Sequence, residues 1–191
     1  MKKDFYKTHF EQFVELIKFN QKLTKNLNSA VSLLSNLNKK NKVLIFGNGG
    51  SAAIASHIAV DLTKNAKIKT TALTDASLIT CFSNDFQHEN WMKKATESYY
   101  DRGDIVIIIS SSGKSKNIVN AANYCKKNKI KMITLSGMNN NNNLNLINKN
   151  GVNFWIDSYL YNHIELAHLY LLLLIVDKIL SKKSNIKKKK L

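Results

Sequence analysis

The sequence predicts an α/β fold, a doubly wound, open parallel sheet of five strands flanked by helices. Three observations carry that prediction. Short apolar runs recur at Val43 to Phe46, Thr70 to Leu73, Ile105 to Ile109, Met132 to Leu135 and Val152 to Ile156, as expected of strands covered on both faces. Segments of helical period separate them, giving a βαβ alternation. Turns rich in glycine and serine follow the first and third runs, and doubly wound sheets bind ligands beyond the carboxyl ends of their strands.

From Phe5 to Asn38 the apolar positions Phe10, Phe13, Val14 and Ile17, then Leu23, Leu27, Val31 and Leu34, recur at three and four residues. That spacing predicts two amphipathic helices. The chain closes on a helix from about Asn162 to Leu180, apolar on nearly every side. Such a helix must be buried, so it and the N-terminal helices are expected to pack between subunits. The Asn-rich stretch from Met138 to Gly151 reads as a connector without core residues. The boundaries expected are an N-terminal helical segment over 1–40, an α/β domain over 41–181 and a Lys-rich tail over 182–191.

The chain has 191 residues, 44% of them hydrophobic and 22% charged, which is the composition of a single globular domain and not of a disordered or fibrous chain. Its longest apolar run, Leu169 to Val176, is far shorter than the roughly 20 residues a membrane helix needs, and the first residues lack the apolar core of a secretory signal. Two cysteines, Cys81 and Cys125, are too few for a disulfide framework or a zinc cluster, so a cytoplasmic location is expected. The formal net charge of +16 raises nucleic acid as a partner. Against it stand the single arginine, Arg102, and the spread of lysine and asparagine along the whole chain; solvated surface and tail explain the charge better.

Two motifs carry chemistry. Gly47-Asn48-Gly49-Gly50-Ser51 follows the first strand and opens a helix over Ala52 to Leu62, so its backbone can approach an anion closely. Ser110-Ser111-Ser112-Gly113-Lys114-Ser115 follows the third strand and opens a helix over Lys116 to Lys126. Four hydroxyls there can donate to the oxygens of one phosphate. Neither loop has the GxGxxG or GxxxxGK[ST] spacing of nucleotide sites.

GNGGSAA before a helix carrying His57 and Asp61, then Ser83-Asn84-Asp85-Phe86, then SSSGKS, resembles the sugar isomerase (SIS) domain family, and within it the phosphoheptose isomerases. The resemblance implies that Asn48, Gly49, Gly50 and Ser51, Asn84 and Asp85, and Ser110, Ser111, Ser112 and Ser115 contact a phosphosugar, joined by Asp61 and Glu165. It implies aldose-ketose isomerisation through an enediol, with sedoheptulose 7-phosphate and D-glycero-D-manno-heptose 7-phosphate as the pair, in a homotetramer that supplies heptose for lipopolysaccharide. Several members bind zinc, at positions matched here by His57, Asp61, Glu165 and Leu173.

The departures are informative. His57 and Asp61 lie four apart, hence on one helix face, and Asp61 stands where the family has Glu. Glu165 replaces a Gln, and Leu173, which can neither bind metal nor move a proton, stands where the family has a ligand His. The expected catalytic groups are Asp61 as base, Glu165, which with His57 would hold a metal or polarise oxygen, and His168 as a proton donor in place of the missing histidine, with His163 as another candidate. As a lone histidine on an apolar helix, His168 reads first as a packed core or interface residue and second as a catalyst. The alternative reading is a non-catalytic member, a sugar-phosphate binder or a scaffold of the replication-initiator-associating type.

Overall fold

The computed structural model describes residues 4–183. The apolar runs form β1 (Val43–Gly47), β2 (Thr70–Ala72), β3 (Ile105–Ser110), β4 (Lys131–Gly137) and β5 (Val152–Ile156), all parallel, in the order β2-β1-β3-β4-β5. From β1 the chain winds outward to β2 on one side and returns to β3 on the other. The switch point, where an open sheet leaves a crevice for ligands, therefore lies between β1 and β3. These are the strands whose ends carry the two motifs.

The helices are α1 (Phe5–Leu16), α2 (Gln21–Ser35), α3 (Gly50–Lys64), α4 (Ala76–Phe86), α5 (Trp91–Tyr99), α6 (Lys116–Lys127), α7 (Asn143–Ile147) and α8 (Tyr161–Lys183). Successive strand residues point to opposite faces, so each run feeds two cores. Val43, Ile45, Ile107 and Leu135 pack with α2, α3 and α8, while Leu44, Phe46, Val106 and Ile108 pack with α5, α6 and α7. Side chains start several helices: Asp4 accepts from the Tyr6 amide, Asn20 from Leu23, and Asp75 from Ser77 and Leu78, each satisfying a donor the helix cannot.

The amino ends of β1 and β3 are tied by a buried carboxylate. Asp104 accepts from the Lys42 amide at 2.9 Å, the Asp101 amide at 3.0 Å and the Asn41 carboxamide at 3.2 Å, and pairs with the Lys42 ammonium at 2.7 Å. Burial alone would raise its pKa, but the Lys42 ammonium and these donors together hold it below the usual carboxylate value.

The Asn-rich stretch is not a bare connector. It contains α7, whose Leu144 is fully buried, and Asn142 and Asn148 are buried too because each spends its carboxamide on backbone and hydroxyl groups around the end of β4. Sequence periodicity misses an element of five residues held by polar rather than apolar contacts. Within one protomer α8 is also not enclosed on every side: Ile164, Ala167, Leu171 and Ile175 face the core, while Leu166 and Tyr170 are exposed. No described helix is long and apolar enough to cross a membrane. Lys182 and Lys183 continue α8, and the rest of the expected Lys-rich tail lies outside the described residues.

Candidate active site

The two motif loops meet at the switch point. Asn48 and Asn117 exchange carboxamide hydrogen bonds, Nδ2 of Asn48 to Oδ1 of Asn117 at 3.1 Å and the reverse at 2.9 Å, which couples the end of β1 to the first turn of α6. Asn117 is buried, and its Oδ1 also accepts from the Ile118 amide at 3.0 Å. A cleft of about 530 Å³ opens here, lined by Asn48, Gln87, His88, Glu89, Ser115, Lys116 and Asn117.

The serine loop is folded on itself. Ser110 Oγ accepts from the Gly113 amide at 3.1 Å and Ser112 Oγ from the Lys114 amide at 3.3 Å. A hydroxyl that accepts keeps its own hydrogen, so both can still donate to an anion. Ser115 occupies the N-cap of α6 without making a side-chain capping bond. Its hydroxyl and the open amide turn of α6 together present donors to the cleft, with the positive end of the helix dipole behind them.

The glycine loop has a different role. Gly49 has φ +52°, which favours glycine, and Gly50 begins α3 directly against Glu165: a Cβ there would overlap the Glu165 carboxylate. The start of α3 thus already faces an anion supplied by α8, a favourable pairing with the helix dipole. Ser115, Lys116 and Asn117 at the start of α6 line the cleft instead.

His57 and Asp61 are brought together, Nε2 to Oδ2 at 3.3 Å, with His57 largely exposed and Asp61 mostly covered. Asn65 Nδ2 donates to the other Asp61 oxygen at 3.0 Å. The pair does not line the cleft. Asp61 lies eleven residues beyond Gly50 on α3, about 16 Å along the axis at 1.5 Å per residue. Glu165, expected as a third metal ligand, sits against Gly50, about 10 Å along α3 from His57. Among the described residues no three His, Cys, Asp or Glu side chains cluster to hold a metal ion, and Leu173 offers no donor. The donor set of one protomer does not fit zinc.

His168 takes the core reading and not the catalytic one. It is fully buried between α8 and β4, its Nε2 hydrogen-bonded to the Ser136 carbonyl at 3.1 Å. Burial pushes its pKa down to about 4, and the bond to Ser136 only partly opposes this. A neutral imidazole sealed in the core is structural and cannot donate a proton to substrate. His163 is also engaged elsewhere, its Nε2 3.1 Å from Nδ1 of His9 on α1. Asn84 and Asp85 lie exposed on the last turn of α4, hydrogen-bonded to each other at 3.0 Å. The following residues, Gln87 to Glu89, line the cleft instead. Gln87 turns the chain with φ +68°, and Glu89 pairs with Lys116 at 3.2 Å. Sequence reasoning missed Gln87, His88, Glu89 and Asn117; only their closeness to the two motifs could have pointed to them.

Known proteins agree with this geometry. A family model for the SIS domain matches residues 8–137. Phosphoheptose isomerase 2 of Campylobacter jejuni is 35% identical over 143 residues, covering 70% of this chain and 71% of that protein. The phosphoheptose isomerase of Thermodesulfovibrio yellowstonii is 37% identical over 110 residues, a match that spans just over half of each protein, 54% of this chain and 55% of that one. A solved structure, the phosphoheptose isomerase of Neisseria gonorrhoeae, superposes with a TM-score of 0.81 at 26% identity, covering 91% of this chain and 97% of that one. A sheet wound about β1 and β3, a glycine-rich and a serine-rich loop at its switch point, and the family match with these relatives place the sequence: the chain belongs to the SIS domain family, alongside the phosphoheptose isomerases.

Proposed function

We propose that this protein is a phosphosugar isomerase that interconverts sedoheptulose 7-phosphate and D-glycero-D-manno-heptose 7-phosphate. One observation supports the reading above others: Ser115, closing the serine loop, and the start of α6 open, with an unused hydroxyl, into a cleft whose other wall is the Asn48 turn. Phosphate held there supplies binding energy that orients the distant carbonyl end.

In the reaction a base takes a proton from C1 of the ketose, the electron pair forms the C1–C2 double bond, and the carbonyl oxygen on C2 gains a proton. The enediol then returns a proton to C2 while its C1 hydroxyl gives one up to become the aldehyde. Asp61 is the base in this reading, and His57, paired with it, is the group that gives a proton to the carbonyl oxygen. No step passes through a metal.

Asp61 lies too far along α3 to share the cleft of its own protomer, so the reading places it against the sugar of a neighbouring copy. Support comes from apolar residues left exposed on the same two helices, Val60 on α3 and Leu166 and Tyr170 on α8, and the assembly is taken to be a homotetramer. A cytoplasmic site of action fits the unpaired Cys81 and Cys125, and the product would supply heptose for lipopolysaccharide.

The test is steady-state turnover of sedoheptulose 7-phosphate by Asp61→Asn. Loss of a positioned base lowers kcat by about 10²–10⁴-fold; unchanged kcat would remove Asp61 from the chemistry. Binding without turnover in the unmodified chain would favour the non-catalytic reading that Leu173 raises.

A further inference from the structure

The geometry points to Asn142 as a positioning residue for the phosphosugar, one that acts through the backbone of Gly113 and never touches substrate. The inference rests on the reading of the serine loop as the phosphate site. Gly113 is the pivot of that loop: its φ is +63°, its carbonyl accepts from the Leu144 amide at 3.0 Å, and a Cβ on it would overlap the Asn142 carboxamide. The loop backbone therefore lies directly on Asn142.

Asn142 in turn has no freedom to yield. It is 1% exposed, and its Nδ2 donates to the Gly137 carbonyl at 3.0 Å, the Asn139 carbonyl at 2.8 Å and Ser136 Oγ at 3.3 Å. Its Oδ1 accepts from the Asn145 amide at 2.9 Å and so starts α7. One carboxamide thus joins the end of β4, the start of α7 and the turn after β3. β3 and β4 are neighbours, with Ser110 paired to Ser136 in register, so the block is fixed to the centre of the sheet. Gly113 donates to Ser110 Oγ and its neighbour Lys114 to Ser112 Oγ. Displacing Gly113 would move the amides that aim those hydroxyls. Binding sites lose function when supporting groups let the contacting ones drift by about 1 Å.

The experiment measures the affinity of the full chain for inorganic phosphate by titration calorimetry, and KM and kcat for sedoheptulose 7-phosphate, in Asn142→Ser and Asn142→Thr. Serine and threonine each keep an oxygen that can cap α7 but remove the carboxamide, and threonine fills more of the space left, so the question stays open to test if one variant does not fold. Asn148→Ser is the control: it removes a comparably buried carboxamide of the same segment, bonded to Thr134 Oγ1 and the Val152 carbonyl, away from the loop. The expected result is a phosphate Kd and a KM that rise together about tenfold with kcat nearly retained, while Asn148→Ser lowers Tm without moving either. Unchanged phosphate affinity in the folded variants, or an unmodified chain that binds no phosphate, would overturn the role of Asn142. An unmodified chain that binds phosphate without isomerising the sugar would instead overturn the isomerase reading, and the phosphate affinities would still decide the role of Asn142.

Discussion

Gly50 and Glu165 show how a single contact can reverse a general preference. Alanine is favoured over glycine within a helix by about 1 kcal/mol, yet at Gly50 the added Cβ would overlap the Glu165 carboxylate. Gly50→Ala should lower Tm, and the double variant with Glu165→Ala should recover it; equal losses with and without Glu165 would refute the contact. Asn117→Ala should leave the Asn48 carboxamide without its partner and raise KM for the phosphosugar, at a cost of about 1–3 kcal/mol in stability. His168 carries the pH dependence. Its imidazole is neutral in the fold with a pKa near 4, against 6.5 when free, so the unfolded chain takes up the proton first. Stability is complete above about pH 6.5 and falls as pH drops toward 4. His168→Leu should remove about 2 kcal/mol of the difference between urea-unfolding free energies at about pH 7 and pH 4.5. The serines and glycines of the two loops are legible in the sequence because each motif is local and sits at the end of an apolar run. Asn117 and His168 are not, because their meaning depends on Asn48 and Ser136, far away in the chain.

At the scale of elements, the strands were legible to within two residues at most ends because parallel strands covered on both faces are nearly uninterrupted apolar runs. α7 was hidden for the opposite reason: one buried leucine and a set of asparagine hydrogen bonds leave no periodic trace. The knot at the amino ends of β1 and β3 was equally silent, since Asp104 and Lys42 meet only through the sheet. Removing one partner of a buried pair is costly, so Asp104→Ala should destabilise the protein by about 3 kcal/mol in urea unfolding. The folded-state pKa of Asp104 is depressed, so its contribution is present above the ordinary value of 3.8 and is lost as pH falls through the lower folded value. A loss below about 1 kcal/mol would mean that the carboxylate adds little to the β1–β3 ladder.

Taken as a whole molecule, the protomer holds the cleft near the start of α3 and the His57–Asp61 pair about 10 to 16 Å further along that helix. The sequence places both sets of residues in one family pattern, and the cleft lining at Gln87 to Glu89 and Ser115 to Asn117 shows which of them a single protomer brings together. The apolar surface of α8 is the remaining link: Leu166→Glu should shift sedimentation toward smaller species and lower turnover with it, whereas an unchanged mass would take that face out of the assembly. The central claim is that the chain transfers protons on a bound ketose phosphate. Proton NMR of the full chain with sedoheptulose 7-phosphate in heavy water tests it most directly. The account predicts loss of the C1 proton signal and growth of an aldose anomeric signal. Line broadening of the sugar phosphate without exchange at C1 would contradict it and identify a protein that binds the ligand and leaves it unchanged.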